Sequence, residues 1–471
     1  MKTSIIIIGM LIIFAGLIPL SHHIQRPNNG DGWRILRSAQ ILAPQDYYAN
    51  QPFPRLYEFQ DIGNIKPIAL IPMSSSAAIV ELISFAERAV DFKKFDFFWV
   101  TAFYSAVYLF GILLILLNIR LVLAIPMLLI LVNPYVLAYF NSPYEESLFI
   151  ALCPMLSFFF IKEGVSSGFA TRIIALAMAS TKVQFAPALL FGIKNFKLRN
   201  NIVYLLVSML VIGAVVMKAS QSKEPNSYNR YFNGLSYSMS EVSTWPANDF
   251  IARQSIAGKM TDSKGIIFPA ESSRIRQYWG SSFWPTGDKL DAIESKYVLD
   301  NVGRWFWETA LANPKYYYRI LTEPIFTMVK ADYRMSYVFS SDMDNRWLDI
   351  HALVMQNFGV IFLLSSISSL VISIRNKNPG HVLFVLFSLM YPLLVVYGDG
   401  YHEFEKHVFP VLFLGMVFSI ALPFMSCSRR TARKFGIQKH WRLHHRKVSA
   451  NVLELGGNYA VSLFEQIIIR R

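Results

Sequence analysis

Apolar residues in this chain gather in long runs rather than at amphipathic spacing. A helix needs roughly 20 apolar residues to cross about 30 Å of hydrocarbon. Runs near that length occur at 4–20, 97–118, 121–140, 146–161, 202–218, 351–374, 381–397 and 408–426. Two shorter runs, 173–179 and 185–193, flank the polar stretch Ser180-Thr181-Lys182-Val183-Gln184. They read as a helical hairpin with its tip at the far interface. The alternative, one long helix, would bury Lys182 in hydrocarbon and require a partner for its charge. The pattern predicts a mainly α, polytopic transmembrane protein of about 10 helices with a mixed extracytoplasmic domain.

Charge fixes the expected orientation. Cytoplasmic loops carry the Lys and Arg excess. Arg120, Lys162, Arg172, Lys194, Lys197, Arg199, Arg375 and Lys377 fall on one side, together with a tail that includes Arg429, Arg430, Arg433 and Lys434. With the hairpin counted as two passes, both termini are cytoplasmic, although His22, His23 and Arg26 outside the first helix mildly oppose this. The expected modules are 1–218, a transmembrane unit with a long first extracytoplasmic loop at 21–96; 219–350, a folded extracytoplasmic domain; 351–426, further transmembrane helices; and 427–471, a basic cytoplasmic tail. Within the first loop, 67–85 reads as a helix lying along the interface. Within the second stretch, Lys315–Lys330 reads as an amphipathic helix returning to the membrane.

Composition supports this layout. Hydrophobic residues make up 54% and charged residues 16% of the chain, with mean hydropathy +0.36. The charged share lies below the roughly 25% of a soluble domain. The net charge of +14 sits at loop ends and in the tail, which argues against nucleic acid and for anionic membrane lipid. Two cysteines, both at apolar runs, exclude a disulfide framework and suggest no metal site. The apolar stretch after Lys2 lacks a small-residue cleavage site, so it reads as a retained helix rather than a signal peptide.

Four local signals carry candidate chemistry. Gly30-Asp31-Gly32-Trp33-Arg34 follows the first helix and puts a carboxylate on a tight, accessible backbone; taken alone it is also an ordinary turn signal. Asn141-Ser142-Pro143-Tyr144-Glu145-Glu146-Ser147 opens a helix, where acidic residues are equally explained by the macrodipole. At 398–410, Glu405, Lys406 and His407 can hold a phosphate or simply anchor the interface. Lys182 at the hairpin tip is a cation placed to meet an anionic headgroup. Under the expected topology all four lie on the same membrane face. The histidines His440, His444 and His445 belong to the basic tail.

This layout resembles the GT-C class of integral-membrane glycosyltransferases. The resemblance rests on the long first loop with an early acidic residue and on Asn133-Pro134 followed by Tyr144-Glu145-Glu146-Ser147-Leu148, similar to the Tyr-Ser-Glu-Ser-Leu pattern of membrane mannosyltransferases. It rests also on Glu405-Lys406-His407-Val408-Phe409-Pro410, similar to a Glu-Arg-x-x-x-Pro segment before a late helix, with lysine where arginine is more usual. Tyr228-Asn229-Arg230-Tyr231-Phe232-Asn233-Gly234-Leu235 is similar to a segment in bacterial relatives.

The resemblance implies a polyprenyl-phosphate-linked sugar donor and a glycan or lipid-linked acceptor on the periplasmic side of a bacterial inner membrane. It implies Asp31 as general base, with Lys182, Lys406 and His407 at the phosphate and Arg34 and Arg37 as further phosphate candidates. Glu145 or Glu146 would bind the sugar or orient the base, and Glu405 completes the late segment. A monophosphate donor carries its own leaving group, so no cofactor is expected and a divalent metal stays an open alternative. Small membrane partners that supply the donor are compatible with such an enzyme. Two other readings remain. An O-antigen-type polymerase or ligase is suggested by Arg230, Arg253, Arg274, Arg276 and Arg319. A lipid-linked glycan flippase would show paired helix interruptions in two halves, and the 181–184 interruption has no clear twin.

Overall fold

The computed structural model describes residues 9, 24–25, 32–42, 53–60, 74–119, 127–128, 130–162, 165–193, 198–219, 230, 289–334, 338–339, 346–399 and 404–434. The described chain is mainly helical. Four of its helices are long and apolar enough to cross a membrane: α3 (Phe98–Leu117), α11 (Phe358–Arg375), the Pro379–Gly398 part of α12 (Pro379–Asp399), and the Phe404–Met425 part of α13 (Phe404–Lys434). Other expected passes fall on α5 (Glu145–Ile161), α6 (Val165–Ala179) and α7 (Leu198–Ala219), the last two with apolar stretches of only Gly168–Ala179 and Asn201–Ala214. The run at 4–20 lies almost wholly outside the described residues, as do most of 220–288 and the tail beyond 434.

Helix α13 is the axis of the bundle. It packs against α5, α11 and α12, and α5 packs in turn on α3. Cys153 Sγ lies 3.9 Å from the Pro410 oxygen, the Phe160 and Phe418 rings are 5.8 Å apart, and Phe358 and Phe409 are 5.0 Å apart. Helices α5, α11 and α13 therefore run in the same direction. Glycines set the closest approaches. A β-carbon on Gly111 of α3 would strike Met155 and Pro154 of α5, and one on Gly415 would strike Phe362 and Ser388.

Two expected runs are interrupted. The apolar stretch 121–140 is broken at Asn133-Pro134, where Asn133 Oδ1 caps the Tyr135 N–H at 3.0 Å and starts the short helix α4 (Pro134–Leu137), with proline in its first turn. A 3-10 turn, Ala138–Asn141, follows. The stretch 351–374 is divided at Asn357 between α10 (Arg346–Gln356) and α11. The 173–193 region is a hairpin: α6, a turn at Ser180–Lys182, and a 3-10 helix over Val183–Gly192 packed back against α6.

The first loop holds α1 (Gly32–Ser38), β2 (Ile41–Leu42), β3 (Leu56–Phe59), α2 (Ser75–Ala89) and β4 (Phe95–Asp96); an earlier strand, β1, spans Ile24–Gln25. The three strands β2-β3-β4 form an antiparallel sheet in which Ile41 faces Phe59 and Leu56 faces Asp96. Ser74 caps α2 by accepting from the Ala77 N–H at 3.2 Å. Arg88 near its far end donates to Gln40 and Gln60 carbonyls at 2.9 and 3.1 Å and lies 4.3 Å over the Phe59 ring. Arg55 grips the Asp96 carboxylate through two bonds of 2.8 and 2.6 Å, and Asp96 in turn caps α3 by accepting from the Phe98 N–H at 3.0 Å.

Before α10 come α8 (Lys289–Ala312), α9 (Lys315–Lys330) and β5 (Val338–Phe339). The range of α9 is that expected of an amphipathic helix, and its buried face, with Ile320, Pro324 and Met328, packs on α11 and α12. Gly359 makes this possible, since a β-carbon there would collide with the Met328–Val329 backbone. Strand β5 pairs antiparallel with β1, joining the chain after the first expected helix to the segment before α10.

Candidate functional site

Three of the four sequence signals meet at one end of the bundle. Glu146 opens α5, Lys182 ends the α6 turn and His407 lies in the first turn of α13. Lys182 Nζ is 3.0 Å from Glu146 Oε1 and 3.4 Å from His407 Nδ1. His407 Nδ1 is 3.7 Å from the same carboxylate oxygen. Lys182 and His407 are 225 positions apart in the chain, and Glu146 lies further still from His407. Lys406 sits 4.8 Å over the Tyr144 ring and acts electrostatically on Glu146. Glu146, Lys406 and His407 are buried, and the Lys182 side chain is only 14% exposed.

Local sequence explains how each group is held. Ser147 Oγ donates to the Tyr139 carbonyl at 2.6 Å and Ser142 Oγ to the same carbonyl at 3.0 Å. These bonds fold 139–147 into a tight corner that delivers Glu146 to the helix start. The hairpin is tied to α12 by the Tyr391 hydroxyl on the Gln184 carbonyl at 3.4 Å. It is tied to α2 by Ser75, whose N–H donates to the Ser180 carbonyl at 3.1 Å and whose Oγ donates to the Ala177 carbonyl at 2.8 Å. Ser76 Oγ donates to the Glu145 carbonyl at 2.9 Å.

Two lysines and a histidine gather around one carboxylate, Glu146, here, an arrangement that can meet an anion. The N-terminal ends of α5 and α13 both point here, and each brings its macrodipole and unpaired N–H groups. Glu146 offsets the charge of Lys182, while Lys406 rests on an aromatic face.

Other candidates are placed as follows. Glu405, Lys406 and His407 belong to α13 itself, which begins at Phe404 rather than after them. Glu405 is buried and raises the Tyr333 hydroxyl, which burial already pushes well above its usual range. Glu145 shares the first turn of α5. Arg34 and Arg37 belong to α1. Asp31 lies outside the described residues. Its neighbour Gly32 lies against Pro143 and Phe53, where a β-carbon would come within 3.0 Å of both side chains. Phe53 meets the Tyr144 ring edge-on at 5.6 Å between centroids. The start of α1 therefore abuts the corner that carries Glu146 and the ring beneath Lys406.

Sequence reasoning did not single out Ser75, Ser76, Tyr391 or the role of the Tyr144 ring. The run of three serines at 74–76 was a visible signal, whereas nothing local marks Tyr391. Among the described residues no group of His, Cys, Asp and Glu has the geometry to hold a metal, and Cys153 is a buried free thiol.

No family model, no characterised protein and no solved structure matches this chain.

Proposed function

We propose that this protein is a membrane glycosyltransferase of the GT-C type that moves a sugar from a polyprenyl-phosphate donor to a glycan or lipid-linked acceptor. The observation that carries the reading is the Lys182–Glu146–His407 cluster, with Lys406 beside it, at the N-terminal ends of two helices at one end of an apolar bundle. A polyprenyl tail fits among apolar helices, and its phosphate would meet this cationic end. Glu146 holds the Lys182 ammonium in place. Lys182, Lys406 and His407 then offset the negative charge that grows on the departing phosphate.

Asp31 is assigned as general base, taking the proton of the acceptor hydroxyl as its oxygen attacks the anomeric carbon. One bond forms from acceptor oxygen to carbon, the carbon–phosphate-oxygen bond breaks, and inversion follows from this single displacement. The packing of Gly32 on Pro143 supports the assignment, because it brings the residue after Asp31 to the corner that precedes Glu146. Arg34 and Arg37 on α1 serve as further phosphate contacts.

The test is sugar transfer by purified protein in lipid with a panel of labelled polyprenyl-phosphate sugars, wild type beside Asp31→Asn. Transfer by wild type and a loss of about 100-fold or more in the variant is expected for a general base. Full activity in Asp31→Asn removes that assignment. Absence of transfer by wild type with any monophosphate donor, together with processing of diphosphate-linked chains, selects the polymerase or ligase reading.

A further inference from the structure

Helix α2 is built inside out for a helix at a water-covered surface. Its inward face carries Ser76, Ser84 and Glu87 beside Ala77 and Val80, all buried. Its outward face carries Leu82 and Phe85, which are 65% and 71% exposed, with the small residues Ala86 and Ala89 beside them. Leu82, Phe85, Ala86 and Ala89 share one helical face by their spacing of three, four and seven, and no charged residue falls on it.

The apolar surface continues past the helix. Val90 and Phe92 are exposed in the turn after α2, and Trp99 and Phe103 are exposed along the first turns of α3, one of the four helices fit to cross a membrane. Lys93 and Lys94 are exposed in the same turn, where cations meet lipid phosphates at the boundary of an apolar surface. A lone apolar face does not identify its partner. Here the exposed Asp91 separates Val90 from Phe92, but apolar surface resumes on the flank of a helix fit to cross a membrane, so the occupant of the face is lipid.

We infer that α2 and the turn to α3 are seated in the headgroup region of the bilayer, with Leu82 and Phe85 immersed and Lys93 and Lys94 at the phosphate level. The other end of α2 bonds the Ser180 and Glu145 carbonyls, which adjoin Lys182 and Glu146. The lipid-seated helix is thus pinned to both segments of the cationic cluster and sets the depth of that cluster relative to the lipid phosphates. This inference rests on the membrane reading alone and stands whatever reaction the protein performs.

The experiment uses the full chain with Cys427→Ser, leaving the buried Cys153 in place. Single variants Leu82→Cys, Phe85→Cys and Leu364→Cys are labelled with an environment-sensitive fluorophore and reconstituted in phosphatidylcholine–phosphatidylglycerol vesicles. Leu364 is an exposed residue of α11 and reports the bilayer interior. At 82 and 85, loss of fluorescence to nitroxide placed high on the lipid acyl chain, exceeding the loss to iodide in water, is the expected result. At 364 a nitroxide deep in the acyl chain should be the stronger quencher. Iodide quenching at 82 and 85 without lipid quenching overturns the inference. Protection from both quenchers also overturns it, by showing that a second copy or another protein covers the face.

Discussion

Buried charge is the feature that most constrains individual residues here. Glu146 and Lys182 form a pair with little access to solvent, and breaking a buried pair by removing one partner typically costs about 3–5 kcal/mol. Glu146→Leu should therefore lower the detergent-solubilised protein's unfolding temperature sharply. The double variant Glu146→Leu/Lys182→Met should recover much of that loss, because no lone charge remains. A double variant that loses as much as Glu146→Leu and Lys182→Met combined would show that the pair is not energetically coupled. A second carboxylate gives a pH signature. Burial raises Glu87 to about 7 from an ordinary value of 4.5, while its bond from the Asp96 N–H at 2.9 Å acts the other way. A raised acid favours the folded state while protonated, so its contribution is complete below the unfolded value of 4.5 and is lost as pH rises through about 7. Glu87→Gln keeps the acceptor for Asp96 and removes the ionisation. It should match wild-type stability in mildly acidic buffer and exceed it by ~1–3 kcal/mol in mildly alkaline buffer, as read by unfolding temperature against pH.

At the scale of elements, the bundle is held by helices that approach more closely than ordinary side chains allow. Gly359 lies directly on the backbone of α9, so a side chain there has no flexible neighbour to displace. Gly359→Val should cost about 1–3 kcal/mol through overpacking and loosen α9 from α11. Gly213 on α7 has nothing nearby, and Gly213→Ala should instead be neutral or stabilising by up to about 1 kcal/mol from helix propensity. Thermal unfolding of the two variants side by side distinguishes packing from propensity. The extents of α3, α9 and α12 were legible in the sequence, because runs of apolar or amphipathic residues bounded by polar ones leave little freedom in where a helix begins and ends. The break at Asn133-Pro134 was not drawn from hydropathy, since both residues sit inside an apolar run and only capping chemistry reveals it. The start of α13 at Phe404 was likewise hidden, because charged residues in a first helical turn look in sequence like a loop.

At the scale of the molecule, the charged ends of the helices separate. Lys162 and Arg375 close α5 and α11 at one end, while Glu146, Lys182 and His407 gather at the other. The sequence placed these three signals on one face from loop charge alone. It did not reveal that they touch, because contact between positions 182 and 407 depends on how four helices pack and not on any local pattern. The proposed function requires that this end receive a lipid-linked phosphate. It is tested most directly by equilibrium binding of a short-chain polyprenyl phosphate to the purified protein in lipid nanodiscs, with the matching polyprenol as control and Lys406→Gln beside wild type. Lys406 is chosen because its removal leaves the Glu146–Lys182 pair intact. Wild type should prefer the phosphate over the alcohol, and Lys406→Gln should weaken phosphate binding about tenfold, or ~1.4 kcal/mol, with the alcohol unaffected. Equal binding of phosphate and alcohol by wild type would contradict the proposed function.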